Sequence, residues 1–150
     1  MNDHIIEVIA RAIITDETGT KMLFCALRDT EPPYFYLPGG HIEFGEMAKV
    51  ALVRELYEET GVDASEAEFN FAGTDERIFT QGNNPHHEIN VYFEVRGVFS
   101  GNEEIPSMEE EISFRWLALA DISNLPVLPE GIKNFLSQWK KGKQIQWENE

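Results

Sequence analysis

The first forty residues alternate between apolar runs and turn-forming residues, which predicts strands joined by short loops. Residues 5–15 are rich in β-branched side chains and apolar on both faces, as expected of a strand covered on both sides. Residues 16–19 predict a turn, and residues 22–28 form a second apolar run. A short strand is predicted at residues 34–37, ended by the Pro-Gly-Gly sequence at 38–40.

The middle of the chain predicts a helix from Glu46 to Glu59. Nothing in this range breaks a helix, and apolar residues recur at helical spacing in its first three turns. Gly61 is well placed to cap the C-terminal end. A second helix is predicted from about Pro129 to Lys141, with proline near its start and lysines at the negative end of its dipole.

Further strands with one buried face are predicted around Phe69 and Phe71, from Ile89 to Val95, and from Ile112 to Leu117. These segments, with the two helices, predict a single domain over residues 1–150. Its class is α+β or mixed α/β, with a sheet sandwiched by helices.

The adjacent histidines His86 and His87 follow the sequence Asn-Asn-Pro and are interpreted as loop residues. Neighbouring residues on a loop rarely bind one metal ion together, so no metal site is expected there.

The chain is strongly acidic, with a formal net charge of −15 from 27 acidic and 12 basic residues. Such a surface disfavours a long nucleic acid or an anionic membrane as partner. No run approaches the length of a membrane span, and the start lacks the features of a signal peptide. The single Cys25 lies in an apolar run and is expected to be a buried, inert thiol. A cytoplasmic protein is therefore expected.

Three carboxylates, Glu55, Glu58 and Glu59, fall within little more than one helical turn. Like charges at this spacing destabilise a helix, so a compensating charge is expected. Arg54 is placed to pair with Glu58, which would leave Glu55 and Glu59 free to project together. An all-oxygen donor set suits Mg²⁺ or Mn²⁺ and, through it, a phosphate substrate. A merely solvated glutamate face is the alternative from these residues alone.

The wider spacing resembles a complete Nudix box: Gly40, five residues, Glu46, seven residues, then Arg54-Glu55-Leu56-Tyr57-Glu58-Glu59-Thr60-Gly61-Val62. All seven fixed residues and both aliphatic positions of that signature are present. A chance match is on the order of 10⁻⁸ per starting position. The resemblance implies the Nudix fold, an α/β/α sandwich with a central mixed β-sheet.

The resemblance also implies roles for the residues of the box. Glu55, Glu58 and Glu59 would bind Mg²⁺ (or Mn²⁺), and Arg54 would orient a glutamate through a salt bridge. Glu46 would support the loop.

Other residues outside the helix complete the expected site. Glu110, six residues before Trp116, is the best match to a general base supplied by a later loop. Gly39 and Gly40, with Arg28 and His41, are the candidate substrate-binding residues. For Arg28 an ordinary strand-end charge is the alternative, and for Glu110 a solvated acidic run.

The activity implied is a metal-dependent pyrophosphohydrolase acting on a small-molecule diphosphate. The expected substrate is a nucleoside triphosphate or a nucleotide-sugar-type compound. Two alternatives are a non-catalytic nucleotide-sensing Nudix domain and an isoprenoid diphosphate isomerase, for which Cys25 is a poor match. The sequence leaves open whether the protein forms a homodimer.

Overall fold

Two β-sheets with an α-helix on either side form the architecture. The computed structural model describes residues 4–31, 33–128, 131–140 and 148–149. Strands within these ranges are β1 (Glu7–Ile13), β2 (Lys21–Leu27), β3 (Phe35–Tyr36), β4 (Gly39–His41), β5 (Glu68–Gln81), β6 (Asn84–Arg96), β7 (Ile112–Ala118) and β8 (Glu148–Asn149). Helices are α1 (Ala48–Thr60), the 3₁₀ helix Leu119–Asn124, and α2 (Ile132–Lys140).

The larger sheet is mixed and has the strand order β4-β1-β6-β5-β8. Strand β1 pairs parallel with β6 and antiparallel with β4, while β5 and β6 form a long antiparallel hairpin. The smaller, antiparallel sheet has the order β3-β2-β7. This arrangement agrees with the predicted α/β class and central mixed sheet.

Alternation along β1 divides the interior into two cores. Ala10 and Ala12 point to one face and pack in the same core as Leu52 of α1. Ile13 points to the other face and packs in a core that includes Phe135 of α2. The sheets therefore lie between the two helices, which confirms the predicted α/β/α sandwich.

The two glycines predicted to end a strand instead form β4, which pairs with the middle of β1. Gly39 lies opposite Arg11 and Gly40 opposite Ala10. Gly39 has a φ of 136°, and a Cβ there would overlap the carbonyl oxygen of Ala10. Only glycine permits so close an approach of the two backbones, so the residues that signal a chain break here serve strand pairing.

The interpretation of His86 and His87 as loop residues was wrong. The β5–β6 hairpin turns at Gly82 and Asn83, and both histidines lie in β6. Pro85, which signalled a loop, is the second residue of that strand, near the strand start where proline is tolerated.

Phe71 also departs from the prediction, since its side chain is 65% exposed. The β5–β6 register shifts between Phe71 and Gly73, and this bulge changes which residues of β5 face the core.

The predicted helices are present with shifted ends. The first begins at Ala48, not Glu46, and is capped by Gly61 in the left-handed conformation as predicted. The predicted ends of the second helix, Pro129 and Lys141, lie outside the described residues. Among the described helices, none combines the length and apolar character needed to cross a membrane.

Gly39→Ala should lower the free energy of unfolding by about 3 kcal/mol or more, through backbone overlap and an unfavourable φ. Gly19→Ala is the matched control, because Gly19 also has positive φ but open space around it. Its expected cost is about 1 kcal/mol. Urea unfolding of both variants measures the difference, and equal losses would contradict this account of β4.

Candidate active site

Arg54 of α1 ties the preceding loop to the helix. Its Nε and Nη2 donate to the two carboxylate oxygens of Glu46 at 2.8 and 2.9 Å. Nη2 also donates to the carbonyl of His41 at 3.0 Å. The loop is closed further by the backbone N–H of Glu43, which donates to Glu46 at 3.1 Å. The bidentate pair with Arg54 lowers the pKa of Glu46 to about 2, so this carboxylate is ionised at neutral pH.

The remaining nitrogen of Arg54 holds two glutamates of the helix. Nη1 donates to Glu55 at 2.9 Å and to Glu58 at 3.3 Å. Glu55 is therefore paired with the arginine. The prediction from the sequence, in which Arg54 pairs with Glu58 and leaves Glu55 free, was wrong on this point. The compensating positive charge expected from the sequence is shared among three carboxylates. Glu58 is 52% exposed, whereas the Glu55 side chain is mostly buried.

Glu59 is the most buried carboxylate of this cluster, with only 5% of its surface exposed. Burial raises its pKa to about 8, and the negative charges of Glu55 and Glu109 add to this shift. The backbone N–H of Gly39 hydrogen-bonds to the carboxylate and acts in the opposite direction. Its Oε2 is buried without a hydrogen-bond partner. A group of this kind is costly unless a cation or a donor compensates it.

The two glycines of β4 lie where α1 contacts the sheet. A Cβ on Gly40 would overlap the carboxylate of Glu55, so only glycine leaves room for that side chain. Glu55 therefore lies against Gly40 while Glu59 bonds to the backbone of Gly39. The two carboxylates thus lie against adjacent residues of β4, and the ligand atoms that they offer are all oxygen. Such a set, with an unpartnered buried Oε2, fits a hard divalent cation such as Mg²⁺ or Mn²⁺.

The loop before β7 closes the C-terminal end of α1. The backbone N–H of Met108 donates to the carbonyl of Glu59 at 2.8 Å. The negative charge of the next residue, Glu109, contributes to the raised pKa of Glu59. Glu110, the predicted general base, is exposed, as is Glu109. The structure thus draws attention to Glu109, which belongs to the same acidic run.

The two predicted basic contacts lie in different surroundings. Arg28 is exposed just after β2 and lines a small surface cavity with Glu31 and Arg115. His41 offers only its carbonyl to Arg54, because its imidazole Nε2 lies 2.9 Å from a carboxylate oxygen of Glu7.

A buried polar network beside the site was not predicted. Arg11 donates to the carbonyl of Leu37 at 3.2 Å and to Asn90 at 3.4 Å. Asn90 in turn donates to Asp75 at 3.0 Å. The positive charge of Arg11 acts to lower the pKa of Glu59, against the larger effect of burial. The available signal was an arginine between two alanines in a strand whose other residues, apart from Glu7 at its start, are apolar.

The NUDIX domain family model matches residues 6–139, which include the loop, the helix and the glycines described above. The chain belongs to the Nudix family. An NAD-capped RNA hydrolase, NudC, from Stutzerimonas stutzeri (strain A1501) is 28% identical to this chain over 117 residues. That alignment covers 78% of this chain and 38% of the relative. This chain therefore corresponds to well under half of that relative's length.

Solved structures share the fold of this chain at low sequence identity. The MutT protein from Methanosarcina mazei Go1 superposes with a TM-score of 0.72 at 22% identity, covering 95% of this chain and 98% of that one. The dihydroneopterin triphosphate pyrophosphohydrolase of E. coli has a TM-score of 0.72 at 19% identity, with coverages of 90% and 95%.

The metal-free protein should lose stability as the pH rises from about 5 to about 8. Because the pKa of Glu59 is raised on folding, the folded state holds this proton in a pH range where the unfolded state releases it. Glu59→Gln should remove most of this dependence. Thermal unfolding in the presence of a chelator at several pH values measures it.

Glu58→Gln is the matched control, since Glu58 lies on the same helix but is exposed. It should keep the wild-type dependence. If Glu59→Gln kept it as well, the burial of an ionisable Glu59 would be contradicted.

Proposed function

We propose that this Nudix hydrolase is a Mg²⁺-dependent pyrophosphohydrolase that cleaves a diphosphate bond in a small organic diphosphate. The substrate class is a nucleoside diphosphate linked to another moiety, such as a nucleoside triphosphate or a nucleotide sugar. The observation that carries the proposal is the buried Glu59, whose unpartnered oxygen lies in an all-oxygen cluster within a complete box.

In this proposal Glu55 and Glu59 hold the cation from the buried side and Glu58 from the exposed side. When bound, the metal supplies polarisation of the phosphoryl oxygens and a lowered pKa of bound water. Arg54 fixes the orientation of Glu55 and Glu58 through its shared nitrogen. Gly40 leaves room for the Glu55 carboxylate, which a Cβ at this position would overlap.

The bound cation would also offset the negative charge of the protein near the substrate. At a net charge of −15, the surface repels a phosphorylated substrate unless a cation reverses the local field. The same charge supports a small substrate over a long nucleic acid, and a cytoplasmic setting is part of the same proposal.

A carboxylate from the loop before β7 accepts the proton of the attacking water. Glu109 and Glu110 are the candidates, and we favour Glu109 because it directly follows Met108, whose backbone N–H donates to the carbonyl of Glu59. The sequence favours Glu110 by its position six residues before Trp116. The choice of Glu109 rests instead on how the loop packs against the end of α1.

The organic part of the substrate would lie beside the buried network of Arg11, Asn90 and Asp75. These groups offer both donors and acceptors next to the glutamate cluster. The names of the relatives, an NAD-capped RNA hydrolase and a dihydroneopterin triphosphate pyrophosphohydrolase, support a phosphorylated substrate. They differ in the organic part, so the panel below spans several classes.

The isomerase alternative would need a reactive thiol, and Cys25 does not provide one. It is fully buried in β2, and burial raises the pKa of its thiol well above the usual value. The expected burial of this thiol is thus confirmed. The sensor alternative conflicts with the complete set of box glutamates.

Hydrolysis of a broad panel with and without Mg²⁺ tests the proposed function. The panel spans nucleoside triphosphates, oxidised nucleotides, ADP-ribose, nucleotide sugars, dinucleoside polyphosphates and non-nucleotide diphosphates, with products identified by mass spectrometry. Glu59→Gln should lower Mg²⁺-dependent turnover about 100-fold or more. Glu66→Gln, an exposed change beyond the helix, should leave it unchanged.

Wild-type turnover in Glu59→Gln would overturn the metal-ligand assignment. No hydrolysis of any compound, with Mg²⁺ binding retained by calorimetry, would favour the sensor alternative.

A further inference from the structure

A second group of potential metal ligands lies at one end of the central sheet. Glu7 of β1 and Glu88 of β6 are directly opposite each other on parallel strands. His86, two residues before Glu88, shares its face of the sheet. One ligand atom from each of these three residues lies within 4.8 Å of the other two. We call Glu7, His86 and Glu88 the strand cluster.

The strand cluster lies on the face of the sheet away from α1. On β1, the residues that pack with α1 are Ala10 and Ala12, and Glu7 is out of phase with them. The box glutamates are carried by α1 itself. The strand cluster is therefore a separate group of side chains, carried by β1 and β6 and not by α1.

The two carboxylates of the strand cluster are close neighbours of like charge. Like charges directly opposite each other destabilise a sheet. The Glu7 side chain is 18% exposed and Glu88 is 9% exposed, so water screens them poorly. On the other side of Glu88, Arg77 lies opposite in β5, and its guanidinium also donates to Asp75 at 2.5 Å. A divalent cation between the carboxylates would balance their two charges.

Two imidazoles hydrogen-bond to Glu7. His86 Nδ1 lies 3.0 Å from one oxygen of Glu7, and His41 Nε2 lies 2.9 Å from the other. The ring of His86 is stacked on Phe79, with centroids 5.0 Å apart and planes 10° apart, which fixes its orientation. Around a tetrahedral zinc ion, neighbouring ligand atoms are about 3.4 Å apart. Small side-chain rotations would therefore open the strand cluster around such an ion.

We propose that the strand cluster is a second metal site, selective for a zinc-type divalent transition cation. Imidazole nitrogen favours these metals over Mg²⁺, whereas the box offers oxygen alone. Glu7, Glu88 and His86 provide three ligands, and His41 orients Glu7 from β4 as an outer contact. The site would join β1 to β6 and goes beyond the proposed hydrolase activity.

Zn²⁺ binding to the tag-free, chelator-treated full chain tests this proposal, measured by calorimetry in millimolar Mg²⁺. The wild-type protein should bind Zn²⁺ under these conditions, and Co²⁺ in its place should give the visible absorption of a site with a nitrogen ligand. His86→Ala and Glu88→Gln should each weaken Zn²⁺ binding at least about 10-fold.

His87→Ala is the matched control, because His87 is adjacent in β6 and its Nε2 contacts Glu76 at 2.8 Å instead. This variant and Glu59→Gln should bind Zn²⁺ as the wild type does. Circular dichroism checks the fold of each variant, and the wild-type Co²⁺ spectrum decides the ligand type if one variant fails to fold. Absence of Zn²⁺ binding, unchanged binding in His86→Ala, or its loss in Glu59→Gln would overturn the proposal.

Discussion

Arg54 contacts both the loop before α1 and the helix itself, and the arrangement of the box carboxylates depends on these contacts. Its guanidinium binds Glu46 through two hydrogen bonds and the His41 carbonyl through a third. The remaining nitrogen holds Glu55 and Glu58. Without this cation, three carboxylates on little more than one turn would repel each other and destabilise the helix. The ion pairs thus let the helix present several acids together.

Glu59 differs from its neighbours because none of the Arg54 hydrogen bonds described above reaches it, and the positive charge of Arg11 only partly offsets its burial. The helix places it at the interface with the sheet, where the backbone of Gly39 hydrogen-bonds to its carboxylate and Oε2 is buried without a hydrogen-bond partner. Strand β4 holds Gly39 in place by pairing with β1. A costly group kept in a rigid setting is typical of functional sites, where stability is sacrificed for binding. The core on both sides of β1 supplies that rigidity.

The sequence predicted the local features well because their causes are local. The spacing from Gly40 to Gly61 indicated a helix, its cap and its carboxylate cluster without reference to the rest of the chain. Contacts between distant segments were not accessible in this way. Arg11 and Asn90 are 79 residues apart, as are Glu7 and His86, and no periodicity indicates that they meet. Their pairing follows from the parallel register of β1 and β6.

Two kinds of local signal were also misleading. Pro85 and the pair of glycines at 39 and 40 indicated chain breaks, whereas all three lie in strands. In the tertiary structure, the start of a hairpin strand tolerates proline, and close backbone approach requires glycine. Within the acidic run before β7, the choice between Glu109 and Glu110 depended on how the loop packs against the end of α1.

The location of a Mn²⁺ ion in crystals of the protein, found from its anomalous scattering, tests the central claim most directly. Mn²⁺ replaces Mg²⁺ at oxygen sites and can be identified by wavelength. The account predicts an anomalous peak between the carboxylates of Glu55 and Glu59, beside Gly39 and Gly40. A peak only at exposed carboxylates elsewhere, with Glu59 still buried and unpartnered, would contradict the metal-binding role of the box.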